Sequence, residues 1–131
     1  MKKTAFILAA TVWLLLSGCV SPEPEQAEYI KITPREAQEM MASGDALILD
    51  VRTPEEFDAG HIPGAVPLPD YEIKDKAESV LTDKGQTILV YCQAGGRSQK
   101  AARELLEMGY MNVYDFGGIA DWEGDVVPGN P

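Results

Sequence analysis

From Tyr29 onward, runs of apolar, β-favouring residues alternate with short stretches whose apolar positions recur at helical spacing. That alternation predicts βαβ units around a parallel sheet. Tyr29 to Ile32 reads as a short first strand. In Thr33-Pro34-Arg35-Glu36, an N-cap threonine, a proline at the first helical position and a glutamate at the third form a capping box. Ala37, Met40 and Met41 give that helix its apolar face, Gly44 stops it, and Ala46 to Val51 follows as a near-continuous apolar strand suited to a sheet covered on both sides. The start signal recurs at Thr53-Pro54-Glu55-Glu56, predicting a short helix between Pro54 and Ala59 that Gly60 terminates. His61-Ile62-Pro63-Gly64-Ala65 reads as a turn into a short extended segment. A polar helix around Ile73 to Leu81 leads through Asp83-Lys84-Gly85 to the strongest strand, Thr87 to Tyr91, directly followed by Cys92. Ser98 to Met108 carries Ala101, Ala102, Leu105 and Leu106 on one side and ends at Gly109, and Asn112 to Phe116 is a last strand. The pattern predicts one α/β domain over residues 29–131: a central, mostly parallel sheet of about five strands with helices on both faces.

The first residues do not fit that domain. Lys2 and Lys3 precede an apolar run from Ala5 to Leu16 and the small pair Ser17-Gly18, the layout of a signal peptide over residues 1–18. The run is shorter than the roughly 20 residues a spanning helix needs. Its end, Leu16-Ser17-Gly18-Cys19, resembles the lipobox of bacterial lipoproteins, which implies lipid attachment at Cys19 and an exported protein held on a membrane of the bacterial cell envelope. Residues 19–28 are acidic and rich in proline, with nothing to bury, and read as a tether.

Charge narrows the partners. Two of the 11 Lys and Arg residues, and none of the 21 Asp and Glu residues, lie in the leader, so the remainder carries a formal charge of −12. Nucleic acid is thereby disfavoured, and anionic head groups would be repelled, so membrane attachment depends on the lipid. There are two cysteines. With Cys19 lipidated, Cys92 is the one remaining thiol, which excludes an intramolecular disulfide and points to a reactive cysteine.

Cys92-Gln93-Ala94-Gly95-Gly96-Arg97-Ser98 lies between the C-terminal end of a buried strand and the start of a helix, where open α/β sheets bind ligands. Gly95 and Gly96 let the backbone curl so that successive N–H groups point inward as an anion nest, and the helix beginning near Ser98 adds its positive end. A thiol placed there has its pKa lowered. Arg97 supplies a permanent charge for a bound oxyanion or for the loop itself. Asp50 and Arg52, at a strand end, are candidates to support the site from behind. An internal Asp/Arg/Glu ion-pair network that includes Glu56 is the competing reading. His61, the single histidine, is assigned to fold-building rather than to general base catalysis, and Trp122 with Gly117-Gly118 to closing the core.

Several motifs across Ile30 to Trp122 resemble the rhodanese family in order and spacing: Asp50-Val51-Arg52, Glu56-Phe57, Gly60-His61-Ile62-Pro63-Gly64-Ala65, Val90-Tyr91-Cys92, Gly95-Gly96-Arg97-Ser98 and Gly117-Gly118-Ile119-Ala120-Asp121-Trp122. The resemblance implies a rhodanese-like fold and a sulfurtransferase. Cys92 would take a sulfane sulfur from thiosulfate, a persulfide or a polysulfide, hold it as a persulfide bound by residues 93–98, and pass it to a thiol, a thiol-bearing protein or cyanide. No metal or organic cofactor is implied. A module of the same fold that binds a partner or senses oxidants through Cys92 is a second reading. A cysteine phosphatase or arsenate reductase is a third, disfavoured because Arg97 follows Cys92 with four residues between rather than five, which makes a smaller cradle. Gln93 departs from the basic residue that many thiosulfate-preferring members carry after the cysteine, which weakens the expectation of thiosulfate as donor.

Overall fold

The computed structural model describes residues 18–19 and 27–129. The predicted leader and tether fall almost wholly outside the described residues. The domain runs β1 (Ile30–Lys31), α1 (Pro34–Ala42), β2 (Ala46–Asp50), α2 (Pro54–Ala59), β3 (Val66–Pro67), a 3-10 turn (Asp70–Glu72), α3 (Ile73–Val80), β4 (Thr87–Cys92), α4 (Gly96–Glu107), β5 (Asn112–Gly118) and a second 3-10 turn (Ile119–Asp121). The strands form one five-stranded sheet in the order β1-β5-β4-β2-β3, and every pairing in it is parallel.

Local chemistry sets the helix starts. Thr33 and Thr53 each accept from the N–H three residues on, while Glu36 and Glu56 reach back to the threonine N–H, so both capping boxes are complete. Gly44, at φ +88°, takes the left-handed position after α1 that a side chain would strain.

Central β4 explains why its sequence is apolar without a break. Ile88, Val90 and Cys92 enter a core with Ile73 and Ala77 of α3 and Ala101, Ala102 and Leu105 of α4, whereas Leu89 and Tyr91 enter the opposite core with Ala37 of α1 and Phe57 of α2. Period-two alternation thus delivers one strand to two cores. Each large apolar side chain buried this way contributes about 1.5–3 kcal/mol.

Three boundaries differ from the sequence reading in ways that matter for the site. β4 extends through Cys92, which pairs in register with Gly118 across a bulge between Val90 and Cys92. The cysteine is therefore held by the sheet rather than loosely following it. Helix α4 starts at Gly96, two residues before Ser98, so its positive N-terminus lies closer to the sulfur. β5 likewise runs on to Gly118. The first strand shrinks to Ile30–Lys31, an edge pairing with Tyr114 and Asp115. Among the described residues no helix is long and apolar enough to cross a membrane.

Candidate active site

Cys92 is 1% exposed, at the C-terminal end of the central strand, beneath the exposed Gln93 and Ala94. Gly95, at φ +107° and ψ −13°, turns the chain so that its N–H donates to Cys92 Sγ at 3.0 Å. Only a residue without Cβ adopts that conformation cheaply. Gly96 differs from expectation: it has no positive φ and is already the first residue of α4, so the curl is made by Gly95.

Burial pushes the Cys92 thiol up, but hydrogen bonding from the Ser98 hydroxyl and N–H and from the N–H groups of Gly95 and Ala94 outweighs it, and the net shift is downward. The Ser98 hydroxyl has a single proton, and in this geometry that proton faces Gly95 O at 3.0 Å and Gly117 O at 3.2 Å. The three N–H groups are therefore the firmer support for a thiolate. Such fixed donors lie in place before any negative charge arrives on the sulfur.

Arg97 does not point into this cradle. Its Nη1 and Nη2 donate to Glu56 Oε2 and Oε1 at 2.7 and 2.9 Å, a two-pronged pair that ties the start of α4 to α2. That pairing is the main reason Glu56 is held down to about 2. Of the two roles read for Arg97, the geometry shows bracing of the loop, with one N–H of each Nη engaged by Glu56. Glu56 accordingly belongs to Arg97 and to its own capping box, not to a network with Asp50 and Arg52.

Asp50 and Arg52 form a separate buried unit. Asp50, fully buried, accepts from the Arg52 backbone N–H at 3.0 Å, from Arg52 Nη2 at 2.7 Å and from Tyr91 Oη at 2.6 Å. Arg52 also donates to Gly60 O at 2.6 Å, and through Nη1 to Gln93 Oε1 at 3.4 Å. The pair is thus both the internal network and a contact to the residue after Cys92. Tyr91, which the sequence places in the strand and the Val90-Tyr91-Cys92 motif without a polar role, completes it by accepting from the Ile62 N–H at 3.1 Å.

His61 stacks on Phe57 with ring centroids 3.7 Å apart, its Nδ1 lies 3.0 Å from Phe57 O, and its backbone pairs with Val127. None of these contacts involves Cys92. Trp122 packs on Phe116 and the Ala120 N–H donates to Gln93 O at 3.2 Å, so the segment after β5 supports both core and loop. Gly118, which the sequence assigns to closing the core, relates more closely to the loop, since a Cβ there would lie 2.2 Å from Gln93 O. Among the described residues no group of His, Cys, Asp and Glu side chains could hold a metal ion.

A parallel sheet with an amide-cradled cysteine at the C-terminal end of its central strand places a candidate nucleophile where open α/β sheets bind ligands. The family model of the rhodanese-like domain matches residues 33–125. The chain is 35% identical over 109 residues to thiosulfate sulfurtransferase GlpE of Pseudomonas entomophila (strain L48), covering 79% of this chain and 97% of that one. It is 41% identical over 73 residues to thiosulfate sulfurtransferase PspE of Escherichia coli (strain K12), covering 56% and 70%. Among solved structures, a rhodanese with anions from E. coli superposes with a TM-score of 0.61 at 38% identity, over 64% of this chain and 99% of that one. The chain belongs to the rhodanese-like family and is a rhodanese-type sulfurtransferase.

Proposed function

We propose that Cys92 is the sulfur carrier of a double-displacement reaction. Its thiolate attacks the outer, sulfane sulfur of a donor. The sulfur–sulfur bond of the donor breaks, its electron pair leaves with the donor remnant as sulfite or a thiolate, and Cys92 retains a persulfide anion. An acceptor thiolate or cyanide then attacks the terminal sulfur, and Cys92 regains its thiolate. No net oxidation occurs. The observation that carries this reading is the set of N–H groups of Ala94, Gly95 and Ser98 around a thiol whose pKa they lower, since they suit a persulfide anion as well as a thiolate. Arg97 is engaged by Glu56 rather than held free for a phosphoryl group, which favours sulfur transfer over a phosphatase reaction.

The donor we propose is a persulfide, free or carried on a protein thiol, in preference to thiosulfate. Both arginines beside the loop are paired, Arg52 with Asp50 and Arg97 with Glu56, and Gln93 is neutral. A dianion therefore meets amide dipoles and arginines whose charge is already offset by a carboxylate, within a strongly acidic protein. Turnover with a panel of thiosulfate, polysulfide and glutathione persulfide is expected to favour the persulfides and to vanish in Cys92→Ser. Equal turnover in Cys92→Ser would end the carrier assignment, and stoichiometric oxidation of Cys92 without turnover would favour a sensor.

We further propose export and anchorage through a lipid on Cys19, supported by Lys2-Lys3, the apolar run and the Leu16-Ser17-Gly18-Cys19 ending. Cys19→Ser is expected to move the protein from the membrane fraction to the soluble one, and unchanged retention contradicts the anchor.

A further inference from the structure

Asp115 is a carboxylate with no exposed surface, on the same side of β5 as the core residue Val113. No Lys or Arg among the described residues lies within salt-bridge distance of it. A buried carboxylate without a countercharge is costly, and such groups are uncommon unless hydrogen bonds hold them. Two donors hold this one: the Tyr29 hydroxyl at 2.6 Å on Oδ2 and the Gly117 N–H at 2.9 Å on Oδ1. Burial and the bond to Asp115 together push the Tyr29 phenol up to about 12, so the phenol stays a donor at all ordinary pH.

What Asp115 holds is the seat of the catalytic loop. Gly117, at φ +88°, bends the last part of β5, and its carbonyl accepts from the Ser98 hydroxyl at 3.2 Å. Gly118 follows with its Cα pressed against the Gln93 carbonyl, and the Ala120 N–H caps that carbonyl at 3.2 Å. The loop bearing Cys92 thus leans on Gly117, Gly118 and Ala120, and the side chain that fixes the start of that support from within β5 is Asp115.

We infer that Asp115 is a positioning residue for the Cys92 loop, acting through the Gly117 N–H and thence through the Ser98 hydroxyl and the Gln93 carbonyl, with Tyr29 fixing the carboxylate from behind. The inference rests on the reading of Cys92 as a thiolate nucleophile stabilised by that loop. Freed of Asp115, the turn at Gly117 loses the acceptor that orients it, the loop relaxes, and the N–H groups of Ala94, Gly95 and Ser98 no longer converge on the sulfur. The thiol pKa then rises. Charge alone predicts the opposite, because removing a nearby negative charge favours a thiolate. The direction of the change therefore separates positioning from electrostatics.

The test is the pH dependence of Cys92 alkylation by iodoacetamide in the intact protein, resolved by peptide mass so that Cys19 does not contribute. Asp115→Ala is expected to raise the midpoint by about one pH unit, which is roughly tenfold slower alkylation at any pH below both midpoints. Asp115→Asn keeps an oxygen for the Gly117 N–H and is expected to restore the wild-type profile to within about twofold. The other charged groups near the loop, Arg52, Glu56, Asp70 and Arg97, are the same in all variants. A role confined to stability would lower the unfolding temperature and leave the midpoint of the folded protein where it was, and that result, or a downward shift, overturns the inference. Should Asp115→Ala fail to fold, Tyr29→Phe replaces it, with the midpoint expected to rise by a smaller amount and an unchanged midpoint counting equally against the proposal. If Cys92→Ser still turns over sulfur, the carrier reading itself fails. If Cys92→Ser is inactive while Asp115→Ala alkylates as wild type, only the positioning role fails.

Discussion

Gly118→Ala is expected to leave a folded domain whose sulfur transfer is slower by about a hundredfold or more, the loss that a misplacement on the order of 1 Å produces at a reacting centre. The backbone dihedrals of Gly118, φ −124° and ψ 151°, suit any residue, so the demand for glycine there is one of space. A Cβ would stand 2.2 Å from Gln93 O, 2.6 Å from its carbonyl carbon and 2.7 Å from Ala94 Cα. All three are backbone atoms, so no side chain can rotate away, and either β5 or the loop must move. The loop is the less braced of the two: β5 is paired with β4 from Asn112 to Asp115 and again at Gly118, whereas Gln93 and Ala94 are exposed. Single-turnover rates and urea unfolding measured on the same sample decide the matter. A wild-type rate in the folded variant would mean that the seat under Gln93 does not govern the site.

Asp50→Ala carries the largest expected loss of stability, about 3–5 kcal/mol, against a total of about 5–15 kcal/mol for a typical domain. The arithmetic is that of an abandoned charge. Arg52 is 4% exposed and keeps its proton under all conditions in which the protein folds, and among the described residues Asp50 is its only anionic partner. Removing Asp50 also strips the acceptor from the Tyr91 hydroxyl and from the Arg52 N–H. The effect should appear as a lower urea midpoint with an unchanged slope. Asp50→Asn, which keeps an acceptor but not the charge, should fall between. A midpoint for Asp50→Ala within about 1 kcal/mol of wild type would show that Arg52 finds water or another partner, and that the pair is not the clasp described here.

Local signals in the sequence determined most of the architecture. The two Thr-Pro-x-Glu starts placed α1 and α2 because a capping box is satisfied within four residues, and the unbroken apolar run of β4 announced a strand covered on both faces. The cysteine loop was legible for the same reason: strand, glycine turn and helix are contiguous. What was not legible depends on contacts across the fold. Arg97 and Glu56 are 41 residues apart, and nothing near either one says that the arginine turns to α2 rather than to a ligand. Gly118 presses on Gln93 only because β4 and β5 are neighbours in register. Asp115 did leave a trace, a lone acid two residues after Val113 in an apolar strand, on the side that faces the core. The partner that explains it, Tyr29, is 86 residues away.

The central claim is that the Cys92 loop makes a sulfur carrier, and intact-mass analysis of the protein after brief exposure to a polysulfide tests it most directly. The account predicts a gain of about 32 Da, one sulfur atom on a reactive thiolate, mapping to Cys92, discharged by cyanide and absent from Cys92→Ser. A protein that keeps a free, alkylatable Cys92 yet never acquires that sulfur, or that acquires it equally in Cys92→Ser, contradicts the account.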